Sequence, residues 1–176
     1  MSWTGGLGEE EQLAGASGLC QVHDPVFYAK NSNREGNKIV MQPRGLNIVW
    51  GNDARYWKIP TEGPAELIQV SWLEVSGVLR IEDNKKYKIS FEVRVKEDGF
   101  GWNGTDVLVM AKIGKTGKYE FRVHRLSPGQ LTTIPTQPLV IQGVSGMDLH
   151  FGLYEVWSGK WKGGLEIYKA KVEAVP

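Results

Sequence analysis

Strict alternation of apolar and polar residues constrains the fold of this 176-residue chain more than any other feature. From Tyr87 to Lys96 every second residue is apolar, so a strand there has one buried face and one solvated face. Two further segments alternate in the same way, and in each we expect the apolar row to point inward: Tyr119, Phe121 and Val123 in one, and Met147, Leu149, Phe151 and Leu153 in the other. No long window shows the 3.6-residue period of an amphipathic helix. The sequence therefore predicts an all-β fold, a jelly-roll-like two-sheet β-sandwich.

The apolar parity changes within two of the predicted strands. It switches between Trp72 and Leu73, and again between Ile167 and Ala170. A β-bulge, or a strand that passes from one sheet to the other, produces such a change. Trp72 shares the first parity with Val70, and we expect it to be a buried mid-strand residue.

Composition excludes several classes of partner. The formal net charge is +1, so no basic surface for nucleic acid or for an anionic membrane is predicted. Cys20 is the one cysteine, so no internal disulfide forms and a reducing compartment is expected. The first residues lack the basic and apolar regions of a secretory signal, and no apolar run is long enough to span a bilayer. We expect a cytoplasmic or nuclear protein.

The N-terminal part of the chain differs in composition from the rest. Residues 1–36 are rich in Gly, Ser, Glu and Asn and carry the charge run Glu9–Glu11. Such a composition buries too little apolar surface to offset the entropy of ordering. We predict a flexible N-terminal extension over residues 1–36 and a folded domain over residues 37–176.

No pattern predicts catalysis or a cofactor. Gly99–Gly104 matches the dinucleotide motif G-x-G-x-x-G, but Val107–Ile113 after it is a strand, whereas the motif needs a helix N-terminus to meet the pyrophosphate. His23, His124 and His150 lack metal-ligand spacing. We expect no enzyme, no cofactor and no metal.

The carboxylates are no better arranged for catalysis. Asp148 and Glu155 differ in strand parity, so an unbroken strand would not present them together as the carboxylate pair of a glycosidase. Glu155 falls where the predicted strand ends, a position that suits a ligand contact.

Large aromatic residues concentrate at predicted turns. Trp50 and Trp57 flank the turn residues Asn52 and Asp53. A sugar ring stacks its C–H face on an aromatic ring while its hydroxyls bind amides and carboxylates, so this octet suits a carbohydrate. The alternative is that both tryptophans are core residues, because Trp is highly buried on average.

Two other turns repeat this arrangement. Trp157 and Trp161 bracket a Ser-Gly turn, and Phe100 and Trp102 lie in a glycine-rich loop that we expect to expose them. Binding residues are disproportionately found on loops, so the three aromatic turns together predict a binding site.

Five segments, in order, resemble the motifs of the phloem protein two lectins, also called Nictaba-like lectins. Leu46–Trp57 is similar to the opening motif and Val70–Gly77 to the second block. Gly101-Trp102 is similar to the third block, and Phe151–Glu155 with Trp161–Leu165 to the closing block. The resemblance covers roughly residues 38–176.

The resemblance implies a β-sandwich that binds N-acetylglucosamine oligomers and the core of N-linked glycans, in the cytosol, nucleus and phloem sap of plants. The paired tryptophans of the family fall on Trp50 and Trp57, and its carboxylates on Glu155 and Asp148. The candidate ligand-binding residues are Trp50, Asn52, Asp53, Trp57, Trp102, Glu155 and Trp161, with Asp148, Phe100 and Trp157 as further candidates. A homodimer is expected because a lectin gains avidity from pairing. The alternative function is a protein-interaction module whose exposed aromatic residues contact a protein.

Overall fold

The computed structural model describes residues 32–176. Residues 1–31 of the predicted N-terminal extension lie outside the described residues. Strand β1 spans Ser32–Glu35 and pairs with strand β2, Lys38–Met41. Regular structure therefore begins on the N-terminal side of the expected domain boundary at Asn37.

Twelve strands and one 3₁₀ turn form the described part of the chain. After β1 and β2 come the 3₁₀ turn Pro43–Gly45, β3 (Asn47–Ile48), β4 (Trp57–Lys58), β5 (Ala65–Leu67), β6 (Leu73–Arg80), β7 (Lys86–Phe100), β8 (Asp106–Ile113), β9 (Glu120–Arg125), β10 (Thr132–Gln142), β11 (Asp148–Glu155) and β12 (Gly163–Val175). Within residues 32–176 no helix has the length and apolarity needed to cross a bilayer.

Two antiparallel sheets form a sandwich. In the larger sheet β12 is central: it pairs with β7 on one side, and with β2 and β5 on the other. Strands β1, β4 and β10 extend that sheet through β2, β5 and β7 respectively. The smaller sheet has the order β3-β6-β11-β8-β9. The predicted all-β two-sheet sandwich is confirmed.

The alternating rows predicted for β7 and β11 form the centre of the core. Odd-numbered residues of β7 from Tyr87 to Val95 are buried, as are Leu149, Phe151 and Leu153 of β11. The rings of Phe91 and Phe151 meet between the sheets, with centroids 6.2 Å apart. Gly77 makes room for this packing, because a Cβ there would lie 2.6 Å from the Phe151 ring.

Both predicted changes of parity are confirmed. β5 belongs to the larger sheet and β6 to the smaller, so the chain changes sheets between Leu67 and Leu73. In β12 the register with β7 shifts between Ile167 and Lys169.

Trp72 was wrongly expected to be a buried mid-strand residue. It lies in the bend before β6, where the chain passes between the sheets, and its side chain is half-buried. Its indole Nε1–H donates to the Glu74 carboxylate at 3.1 Å. Where the chain passes between the sheets, a residue belongs to the inward-facing row of neither sheet. The alternation of apolar residues therefore did not predict the burial of Trp72 correctly.

The apolar row of β9 points outward, contrary to expectation. Phe121 and Val123 are 49% and 52% exposed, and Tyr119, just before β9, is 41% exposed, whereas Arg122 and His124 are half-buried. β9 is the edge strand of the smaller sheet and lies beside β10 of the larger sheet, so its inner row faces the margin of the sandwich and not its centre. Met147, expected inward before Leu149, is also exposed.

Trp102 is buried, although its loop was expected to expose it. The side chain is 2% exposed, and its Nε1–H donates to the Gly163 carbonyl at 2.9 Å. The segment around Trp161 closes over it: Gly101 has a φ of 85°, and a Cβ at Gly101 would lie 2.2 Å from the Trp161 carbonyl oxygen. Only glycine allows so close an approach in this conformation.

The two tryptophans give the first testable prediction. Trp102→Ala leaves a large cavity and an unpaired Gly163 carbonyl, so it should lower the free energy of unfolding by about 3–5 kcal/mol. Trp72→Ala should cost clearly less, because that side chain is only partly buried. Urea denaturation of both variants and the parent measures the difference. Equal losses of stability would contradict the burial described above.

Candidate functional site

The segment Trp50–Trp57 connects the two sheets at one end of the sandwich. β3 before it belongs to the smaller sheet, and β4 at its end belongs to the larger one. Consecutive turns carry the chain across: the Gly51 N–H donates to the Ile48 carbonyl, and the Asp53 N–H donates to the Trp50 carbonyl. The predicted turn is therefore present, but it links sheets instead of forming a hairpin.

Trp50 has a strained backbone. Its φ is 65°, in the left-handed region, which is costly for a residue with a bulky side chain. Its ring packs against Tyr56, with centroids 5.3 Å apart and planes inclined by 54°. Strain held in place by the surrounding turns is characteristic of functional sites.

Trp50 and Tyr56 form one wall of a small open groove. The other lining residues are Val70, Ser71 and Trp161, and the groove has a volume of about 160 Å³. Trp161 is 54% exposed, the largest exposure among the tryptophans of the described residues. The structure thus brings together two residues predicted from the sequence, Trp50 and Trp161, and adds Tyr56, which lies in the same aromatic octet.

Two backbone bridges hold the groove together. Val70 and Lys162 exchange hydrogen bonds in both directions, at 3.0 and 2.9 Å, and so fix the position of Trp161 beside the chain crossing. On the other side, the Ile68 N–H donates to the Tyr56 carbonyl at 2.8 Å. Both aromatic walls are therefore anchored to the segment that follows β5.

Charged and polar groups lie at the Tyr56 side of the groove. The Arg55 guanidinium binds the Asp53 carboxylate at 2.7 Å and lies 5.1 Å from the centroid of the Tyr56 ring. The hydrogen bond from Arg55 lowers the pKa of Asp53 below its usual value. Asn52 is exposed at the tip of the turn. Asp53 is thus occupied by Arg55, and the polar groups open to solvent here are Arg55 and Asn52.

A buried ion pair lies behind Trp161. Lys162 and Glu155 are essentially inaccessible to solvent, and the ammonium Nζ is 2.7 Å from Glu155 Oε2. The same ammonium donates to the Ser71 and Lys160 carbonyls at 3.0 and 2.8 Å. The other carboxylate oxygen, Oε1, accepts the Ser158 N–H at 3.2 Å. One ion pair therefore orders both the loop that carries Trp161 and the backbone at Ser71.

Glu155 was expected to contact a ligand, but its carboxylate is turned inward. It continues the buried row Leu149, Phe151 and Leu153 by strand parity, and this row is the signal that could have placed it inside. Burial lowers the pKa of Lys162, and the Glu155 carboxylate opposes that shift.

The remaining candidates lie outside the groove. Trp57 and Trp102 are core residues. Asp148 is at the opposite end of β11 from Glu155, paired with Arg80 at 2.8 Å. Phe100 and Trp157 are exposed but do not line the groove. Within residues 32–176 no cluster of three His, Cys, Asp or Glu side chains is able to hold a metal ion.

The buried pair gives a prediction with a defined pH dependence. Glu155→Gln leaves the Lys162 ammonium buried without its counter-charge, so at pH 7 the variant should lose about 3–5 kcal/mol of unfolding free energy. Without the carboxylate that opposes the effect of burial, the folded pKa of Lys162 is lower in the variant than in the parent. Between these two folded pKa values Lys162 is neutral in the folded variant but protonated in the folded parent, so the stability of the variant rises with pH while that of the parent does not. The deficit of Glu155→Gln relative to the parent should therefore shrink as the pH is raised through that window and then stay constant.

Urea denaturation from pH 7 to pH 10.5 measures this deficit. Lys162→Met is the control, because it removes the titrating amine; adding Glu155→Gln to it should introduce no pH dependence in this window. A deficit that stays constant with pH would contradict the role assigned to Lys162.

Comparison with solved structures finds weak overall likenesses. A CBM36-1 domain of a multidomain xylanase from the hindgut metagenome of Trinervitermes trinervoides is 15% identical, with a TM-score of 0.47, over 80% of this chain and 99% of that one. Arthrobacter globiformis T6 isomalto-dextranase is 10% identical, with a TM-score of 0.47, over 80% of this chain and 24% of that one. These likenesses carry no argument about function.

Comparison of sequences shows to which family the chain belongs. The Phloem protein 2 family profile matches residues 36–174. The Arabidopsis thaliana Protein PHLOEM PROTEIN 2-LIKE A9 is 44% identical over 156 residues, which cover 77% of this chain and 87% of that protein. A Luffa acutangula protein named Lectin is 32% identical over 85 residues, which cover 43% of this chain and 41% of that protein. The chain belongs to the Phloem protein 2 family.

Proposed function

We propose that this protein is a non-catalytic lectin that binds N-acetylglucosamine oligomers, including those in the core of N-linked glycans, through the Trp50–Tyr56–Trp161 groove. The observation that carries the proposal is the convergence of these three rings, from two distant segments, on one solvent-open groove. Trp50 is held there with a strained backbone. Trp50 and Tyr56 also pack against the core, whereas Trp161 is 54% exposed, an exposure that packing alone does not require.

The groove matches the surface of a pyranose ring. The C–H face of the ring is apolar and packs on an indole or phenol, while its hydroxyls point sideways toward hydrogen-bonding groups. Ser71 lines the groove, Arg55 lies over the ring of Tyr56, and Asn52 is exposed in the turn between Trp50 and Asp53. Because a guanidinium only donates and an amide side chain both donates and accepts, this edge offers partners for both functions of a hydroxyl.

The choice of N-acetylglucosamine is supported by the family. The sequence motifs resemble those of lectins for this sugar, and a Luffa acutangula relative is named a lectin. An N-acetyl group combines a methyl, which prefers an aromatic wall, with an amide that needs a donor and an acceptor. Both kinds of surface are present at the groove.

A binding function without catalysis is supported by the ion pairs that the nearby carboxylates form. Glycoside hydrolysis uses two carboxyl groups that flank the scissile bond. Here Glu155 is buried in its pair with Lys162, and Asp53 is paired with Arg55. We place the protein in the cytoplasm, nucleus or phloem sap as part of the same proposal.

Replacing Trp161 tests the groove directly. Trp161→Ala should leave stability nearly unchanged, because more than half of the side chain is exposed. The substitution removes one stacking wall, so the sugar buries less apolar surface, and binding should weaken by about 1–2 kcal/mol, roughly ten-fold in affinity for the trimer of N-acetylglucosamine. Titration calorimetry with the trimer, on parent and variant, is the measurement.

Trp157→Ala is the matched control. Trp157 is an exposed tryptophan of the same loop, but it does not line the groove, so its replacement should leave the affinity unchanged. Cellotriose, which has the same linkage geometry without acetamido groups, should bind more weakly than the trimer of N-acetylglucosamine. Equal weakening by both tryptophan variants would move the site away from the groove. Absence of trimer binding by the folded parent would refute the proposal in favour of a protein-interaction module.

A further inference from the structure

Exposed apolar side chains also lie beside the groove, on the far side of the chain that carries Trp161. Phe100 and Ile68 are 46% and 38% exposed, and both lie against Gly163. A Cβ at Gly163 would lie 2.7 Å from the Phe100 ring and 2.1 Å from the Ile68 carbonyl oxygen. Exposed apolar side chains that lie together, unlike single scattered ones, are characteristic of binding surfaces.

Phe100 is on the same face of the larger sheet as Trp161. The side chain of Lys162 is buried, and adjacent residues of an extended chain point to opposite faces, so Trp161 and Gly163 both face outward. Phe100 pairs with Gly163 in the ladder between β7 and β12, and its ring covers this residue without a side chain. Phe100 and Trp161 are therefore diagonal neighbours, which are separated by about 7–8 Å in a regular antiparallel pair.

An irregularity in β7 gives Phe100 this position. Val95 pairs with Leu165 and Phe100 pairs with Gly163, so residues 96–99 lie opposite Gly164 alone. Gly164 has a φ of 77°, and a Cβ there would lie 2.5 Å from the Cα atom of Gly99. Bulges are common next to functional sites, where they redirect a side chain. Here two glycines allow a bulge whose result is an exposed phenylalanine next to the groove.

Ile68 connects Phe100 with the groove. Its N–H donates to the carbonyl of Tyr56, which forms one wall of the groove, and its own carbonyl packs against Gly163. Trp161, from the other wall, is two residues before Gly163. The apolar surface therefore extends from the groove, across the chain at Gly163, to Phe100.

We infer that Phe100 provides a second stacking position, so that the site binds consecutive units of a glycan chain, one unit in the groove and the next on Phe100. The inference rests on the proposed lectin function and assigns the part of the ligand that the groove does not hold. The groove has a volume of about 160 Å³, whereas ligand sites commonly reach about 300–1,000 Å³. A chain bound there must extend beyond the groove, and Phe100 offers the adjacent flat surface.

The bulge also supplies polar partners for the second unit. The Phe100 ring has no polar atom, but Glu97 and Asp98 precede it in the same bulge and are exposed. Carboxylates accept hydrogen bonds from hydroxyl and amide groups, and they repel a carboxylated or sulfated sugar. The second position therefore suits an uncharged unit such as N-acetylglucosamine.

A comparison of ligand lengths tests the second position. NMR titration, which also measures weak binding, should show that the parent binds the trimer of N-acetylglucosamine at least ten-fold more tightly than the monosaccharide. Phe100→Ala should remove most of this gain and leave the affinity for the monosaccharide unchanged, because the groove is intact. Trp161→Ala should weaken the binding of both ligands. Damage to the fold by Phe100→Ala would instead weaken both ligands alike, and urea denaturation measures it directly.

Phe121→Ala is the matched control. Phe121 is an equally exposed phenylalanine, but it lies in β9, so its replacement should change neither affinity. Phe100→Trp keeps a flat ring and should retain the gain with length. An unchanged trimer affinity in Phe100→Ala, or an equal loss for both ligands, overturns the second position, while the loss in Trp161→Ala leaves the lectin proposal standing. A folded parent that binds neither ligand refutes the lectin proposal and this inference together, in favour of a protein contact on the same surface.

Discussion

The buried pair of Lys162 and Glu155 is the interaction on which the candidate site depends. The Lys162 ammonium has three oxygen partners: the Glu155 carboxylate and the carbonyls of Ser71 and Lys160. Buried ion pairs contribute little net stability, because desolvation offsets most of their attraction. The value of this pair is positional: it connects the end of β11, the loop before β12 and the segment after β5. Trp161 is next to Lys162 and is held by all three.

The two tryptophans at the ends of the chain crossing Trp50–Trp57 have different surroundings. Trp57 begins β4 and is buried in the core, so it anchors the crossing to the larger sheet. Trp50 follows β3, has a left-handed backbone and is partly buried, with its ring against Tyr56 at the groove. Of the two interpretations of this octet, burial in the core holds for Trp57, whereas Trp50 lines the groove. A residue that is both strained and half-exposed is hard to explain by packing alone.

Sequence periodicity predicted the sandwich and both changes of parity because these depend on which residues alternate, a local property. It did not predict which face of the edge strand β9 points into the sandwich. Alternation in β9 defines two faces, but whether Phe121 or Arg122 faces inward depends on what the rest of the sandwich places beside that edge. Glu155 shows the reverse: its parity with Leu153 indicates burial, whereas the expectation of ligand contact came from its place at the strand end and from resemblance. Trp72 was misplaced because parity has no meaning where a chain passes between sheets.

The smaller sheet carries the groove at its β3 edge and the exposed apolar side chains of β9 at its other edge. β3 and β9 are the two edges of the smaller sheet, so each has only one hydrogen-bonded neighbour strand within that sheet. Here β3 leads into the strained Trp50 and the groove, while β9 presents an apolar row at the opposite edge. Between them, β6, β11 and β8 fill the sandwich with inward apolar side chains such as Phe151, whose ring covers Gly77 and meets Phe91. Because three packed strands separate the edges, a substitution at Phe121 has no direct path of packing through which to alter Trp50. The groove and the outer face of β9 are therefore independent surfaces of the sandwich.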